Sequence, residues 1–166
     1  MLICVVFFAG CRLYQFGADG LFPSNVQTVY LPVVRNDTFR HDLGVRLTEA
    51  LVKEIERRTP YKVTGDPNAD STLICQIVAE SKQVLTEIDT DDPRALNSVI
   101  AVKALWTNRR GQMLMNNRVV PADEPAISFG QEIRFVPEAG QSVDTANQRL
   151  IENLAERIVS QMELRW

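Results

Sequence analysis

A chain of 166 residues is short enough for one hydrophobic core to organise all of it. With 45% apolar and 23% charged residues it has the composition of a globular domain, so disorder is not the default reading. The net charge of −3 provides no basic surplus, so a nucleic-acid partner is not expected.

The chain opens on residues 1–10 (MLICVVFFAG), ten uncharged positions ending in Ala9-Gly10-Cys11, with polar sequence from Arg12 onward. A run this short cannot span a bilayer, which takes ~20 residues in a helix. It has the length and small-residue ending of a secretory signal. Small-small-Cys is the form at which bacterial lipoproteins are cut and acylated, so Cys11 is the predicted lipidation site. Phe8 stands where Leu is usual and no basic residue precedes the apolar run, which a start placed too late would explain. The reading is a signal peptide at 1–10, truncated at its N-terminus, and a lipidated leader at 11–25. Cys75 is then the one thiol left, too few for an internal disulfide. Its apolar neighbours Leu73, Ile74, Ile77 and Val78 mark it as a small buried side chain.

In the leader, Gly17, Asp19-Gly20 and Pro23-Ser24-Asn25 are turn formers, while Tyr14, Phe16 and Phe22 suggest that part of it packs on the domain. Residues 28–34 (TVYLPVV) read as a strand, with Pro32 forcing an edge position or a bulge. Leu43, Leu47, Ala50, Leu51 and Ile55 repeat at three and four, which predicts a helix over 42–58 that Thr59-Pro60 ends. Residues 61–64 form a short second strand, parallel to the first across the helix. Residues 71–85 are extended, 87–92 (EIDTDD) form an acidic loop, and 97–108 alternate with Ile100, Val102, Ala104 and Trp106 on one face. Arg109-Arg110-Gly111 is a turn that sends 112–120 back as the partner strand, while 127–136 fits either a strand or an ordered loop. Ser142 caps a closing helix to about residue 164, with Val143, Ala146, Leu150, Leu154, Ile158 and Met162 inward and Gln148, Glu152, Glu156 and Glu163 outward. The order predicts an α+β fold: a two-layer sandwich of two helices on one face of a mixed four- to five-stranded sheet.

Chemistry-bearing motifs are sparse. His41 is the single histidine and has no Gly-x-Ser-x-Gly elbow to serve, so no catalytic residue is assigned and the chain is not read as an enzyme. No phosphate loop or dinucleotide fingerprint occurs, and no cofactor is expected. The acidic loop lacks the central Gly and final Glu of a calcium loop, and no metal site is assigned. Arg109 and Arg110 form an exposed basic pair suited to an anionic group, since guanidinium forks match phosphate oxygens.

Several segments, in order, are similar to those of one family. Gly10-Cys11-Arg12-Leu13-Tyr14 is like a Gly-Cys-Gly-Tyr opening, and 26–39 (VQTVYLPVVRNDTF) is like I-x-T-I-x-V-P-x-F-x-N-x-T-F. The helix segment 47–55 continues the match, followed by Ala69-Asp70-Ser71-Thr72-Leu73 for A-D-x-x-L-x-G. Ala104-Leu105-Trp106, Gly111-Gln112 and 153–159 (NLAERIV) complete it, while 121–137 looks like an insertion. The sequence thus resembles the LptE family of lipopolysaccharide-assembly lipoproteins across nearly its whole length. That resemblance implies an LptE-like domain over 26–166, lipid-anchored in the cell outer membrane. Its partners would be an LptD-like outer-membrane β-barrel and lipopolysaccharide, which places the candidate anion contact at Arg109 and Arg110. The alternative is a periplasmic-facing lipoprotein that activates a cell-wall synthase or joins a secretion assembly, because such proteins share the opening strand and Asn-x-Thr loop.

Overall fold

A computed structural model describes residues 21–87, 93–115 and 126–163. Strand β1 (Thr28–Tyr30) leads through residues 31–34 to the two-residue β2 (Arg35–Asn36), then helix α1 (Asp42–Arg58) and β3 (Lys62–Thr64). Two long strands follow, β4 (Ser71–Glu87) and β5 (Pro93–Asn108), and then β6 (Ile127–Phe135), a 3-10 turn at Pro137–Ala139 and helix α2 (Val143–Ser160). All six strands form one sheet of order β3-β1-β4-β5-β6, with β2 alongside β4. The β1 pairs with β3 and β4 are parallel, and the β4–β5 and β5–β6 pairs antiparallel. The fold is therefore α+β, with two helices against a mixed open sheet, as predicted.

Helix α1 buries Leu43, Leu47, Leu51 and Ile55, and α2 buries Ala146, Leu150, Leu154 and Ile158. Apart from Ala146, which packs with Leu96 and Phe135, they meet Leu73, Cys75 and Ile77 of β4 and Ile100, Val102, Ala104 and Trp106 of β5 in one core. The α2 stripe is wider than its four-residue repeat suggested, because Asn147, Ile151, Ala155 and Val159 are buried as well. Ser142 caps α2 as predicted, its hydroxyl accepting from the Thr145 N–H at 3.1 Å. The regular helix ends at Ser160, short of residue 164, yet Met162 is still buried in the turn beyond it.

Two strand assignments differ from the sequence reading. Residues 28–34 are not one strand: the ladder lapses over 31–34, around Pro32, which has no N–H to donate. The interruption lies on an interior strand, since β1 sits between β3 and β4. Residues 112–115 return from the turn through a single bridge, Thr107 to Met113, and a bond from the Leu114 N–H to the Trp106 carbonyl. Met113 is exposed and Met115 buried, which a regular strand would not allow two positions apart; residues 116–120 lie outside the described residues. The long antiparallel partner on that side of β5 is β6, paired from Leu96↔Phe135 to Ala104↔Ile127.

Candidate functional site

The end of the domain where β1 begins is organised by one carboxylate. Asp70 precedes β4, and its Oδ2 accepts from the backbone N–H groups of Gln27 and Thr28, both at 3.1 Å, and from the Thr28 hydroxyl at 2.9 Å. Thr28 Oγ1 in turn accepts from the Asp70 N–H at 2.9 Å. These donors favour the charged form, and the Thr28 hydroxyl does most to hold the Asp70 carboxyl below its ordinary pKa, against a partial loss of solvation. Residues Phe22 and Pro23 are fixed at the same end. Phe22 is buried edge-on against Tyr61 at 5.7 Å, and Tyr61 packs on Trp106 at 5.9 Å. The Tyr61 hydroxyl donates to the Pro23 carbonyl at 3.3 Å, and burial raises its pKa.

The predicted basic pair lies here too, and its two members differ. Gly111, at φ 75°, closes the turn, donating to the Asn108 carbonyl at 2.9 Å. The Arg109 guanidinium donates to the Asn68 carbonyl at 2.6 Å and to the Ala69 carbonyl at 3.0 Å, with the Asp70 carboxylate 3.4 Å away. Arg109 thus clamps the 68–70 turn. Arg110 is exposed, with its backbone N–H on Asn108 Oδ1, and its side chain meets no hydrogen-bond or ion-pair partner among the described residues. A shallow depression of about 300 Å³ beside it is lined by Asn25, Asp70, Asn108, Arg109, Arg110 and Gln112.

The profile of the lipopolysaccharide-assembly family LptE matches residues 26–165. The chain belongs to the LptE family. Its fold recurs in the solution structure of an uncharacterised lipoprotein B from Nitrosomonas europaea, at TM-score 0.55 and 16% identity over 89% of this chain and 87% of that one. The PelC dodecamer from Paraburkholderia phytofirmans gives 0.53 and 12% over 88% and 95%. A hypothetical protein from Chlamydia trachomatis gives 0.52 and 8% over 82% and 98%. At such identities these likenesses show the fold alone. No curated protein sequence matches the chain significantly.

The Asn-x-Thr segment that resembles other LptE proteins builds a fixed loop at the far end of β2. Asn36 Oδ1 accepts from the Thr38 N–H at 3.0 Å and its hydroxyl at 2.7 Å, while Asn36 Nδ2 donates to the Arg40 carbonyl at 2.5 Å. Gln76 reaches across from β4 and donates to the Asp37 carboxylate; that bond and Arg35 lower the Asp37 pKa. The first turn of α1 lies close against this loop, because a Cβ on Gly44 would sit 2.7 Å from the Val34 carbonyl oxygen. Thr48 completes the junction, its hydroxyl accepting from the Val34 N–H at 2.9 Å.

His41 occupies the N-cap of α1, exposed and without a side-chain capping bond. Cys75 is buried, and desolvation pushes its thiol pKa up to about 12, so it stays a protonated apolar side chain. Among the described residues, no cluster of three or more His, Cys, Asp or Glu could hold a metal, and no helix is long and apolar enough to cross a membrane. Cys11 and residues 88–92 of the acidic loop lie outside the described residues. The functions of Asp70, Asn36 and Gln76 were not read from sequence; each acts through a partner about 40 residues away or through its own loop, and only Ala69-Asp70 and the Asn-x-Thr segment stood out there as family-like.

Proposed function

We propose that this LptE-family chain is an outer-membrane lipoprotein, acylated at Cys11, that docks within an LptD-like β-barrel and assists lipopolysaccharide assembly into the outer leaflet. It acts as a binding and assembly factor, without catalysis. The observation that carries the proposal is the family match over residues 26–165, which takes in every strand and both helices. The docked leader supports it. With Phe22 in the core, ten residues separate the domain from Cys11, a reach of at most ~35 Å. More than one acyl chain is needed for stable anchoring, and a triacylated Cys11 supplies it. An anionic lipopolysaccharide group would be met by Arg110, whose guanidinium is exposed, beside the clamped Arg109.

Depleting the protein in its own cells tests the role. Lipopolysaccharide is expected to disappear from the cell surface. Normal surface lipopolysaccharide after depletion, with a defect in cell-wall synthesis instead, would overturn the proposal. For the anchor, radiolabelled palmitate should enter the wild-type protein and not Cys11→Ser.

A further inference from the structure

Phe39 is 100% exposed; among the described residues the next most exposed large apolar side chain is Val33, at 70%. It is not on a free-moving loop. Beyond the Asn36 bonds on either side of it, the Arg40 N–H donates to the Thr38 hydroxyl at 3.4 Å, and the Asp37 N–H reaches the Ile77 carbonyl at 3.0 Å. A large aromatic ring with two side-chain torsions, held up by a pre-set backbone, loses little entropy when it is buried in a complex. Exposed Val33 and Val45 adjoin, in sequence, the Val34 and Gly44 that meet at the loop–helix junction. Charged Arg35, Asp37, Arg40 and Asp42 lie within four residues of it in the chain. An apolar centre inside a polar rim is the usual make-up of a binding hot spot.

We infer that Phe39 is a preformed knob that inserts into an apolar pocket of the barrel that receives this domain. This rests on the docking reading above. Two observations favour a protein pocket over a bilayer. Phe39 follows β2, so β1 and β2 separate it from the leader end by roughly 25 Å, and the 12–21 segment would have to give up most of its ~35 Å reach to bring it to the leaflet that holds Cys11. The rim contains two Arg and two Asp, giving no net positive charge to draw it to anionic headgroups.

The test measures binding of the full chain to the purified barrel in detergent, for wild type, Phe39→Ala and Phe39→Asp, with Glu152→Ala as a control. Phe39 is fully exposed, so both variants should unfold at the wild-type temperature. Phe39→Asp is expected to weaken binding by about 30-fold or more, Phe39→Ala less, and the control not at all. If wild type binds and Phe39→Asp binds equally well, the knob is refuted while docking stands. If wild type does not bind the barrel, the docking reading falls and the knob with it. Loss of Phe39→Asp binding to phosphatidylethanolamine–phosphatidylglycerol vesicles, with barrel binding intact, would assign the knob to the bilayer and overturn the inference.

Discussion

Replacing Asp70 with Ala removes the acceptor that joins the leader end, β1 and β4. Three hydrogen bonds end on Asp70 Oδ2, two of them from backbone N–H groups that have nowhere else to turn within the fold. Bonds to a charged group are each worth ~1.5–3 kcal/mol. The Asp70 side chain is 31% exposed, so water recovers part of that, and the 3.4 Å pair with the largely exposed Arg109 adds little. The net cost of Asp70→Ala is therefore about 2 kcal/mol, with Asp70→Asn lying between it and wild type. Urea denaturation at neutral pH measures it. The carboxyl's pKa is lowered in the folded state, so its stabilisation is complete above the unfolded value near 3.8 and fades as pH falls through the folded value. The gap between wild type and Asp70→Asn should thus be full at pH 6 and shrink below pH 4. A gap under ~0.5 kcal/mol at neutral pH, or one that stays constant into acid, would refute the reasoning.

Leu154→Ala should cost roughly 2–5 kcal/mol, because that side chain is completely buried between α2 and the sheet, while Glu152→Ala on the outer face should stay within about half a kcal/mol. Gly44→Ala should destabilise by about 1–3 kcal/mol in chemical denaturation, because the new Cβ meets a backbone oxygen; Ala's helix preference of ~1 kcal/mol offsets only part of this. The two arginines should separate: Arg109→Ala costs about 1–2 kcal/mol by freeing the Asn68 and Ala69 carbonyls, whereas Arg110→Ala leaves unfolding unchanged and weakens binding to purified lipopolysaccharide.

Elements with strong periodicity were legible in the sequence. The apolar repeats of α1 and α2, the Ser142 cap and the alternation of Ile100, Val102, Ala104 and Trp106 each depend on near neighbours, and each is found where it was expected. The sheet's pairing was less legible, since partners are chosen by competition over long separations. β6 has an alternating pattern of Ile127, Phe129, Ile133 and Phe135, but Gly130 and Gln131 interrupt it, and the nearer segment 112–120 looked like the natural hairpin partner. Arg109 and Arg110 were equivalent as letters. What distinguishes them is that the turn places one guanidinium over the carbonyls of residues 68 and 69 and leaves the other in solvent. Phe39 was visible as the end of a family-like segment, but its complete exposure depends on how Asn36 folds the loop around it.

Docking is tested most directly by affinity purification of the tagged full chain from detergent-solubilised outer membranes, followed by native mass spectrometry. The account predicts a discrete complex of this lipoprotein with an outer-membrane β-barrel, retained through washes that remove bystander membrane proteins. Recovery of the chain alone, or with a cell-wall synthase in place of a barrel, would contradict it.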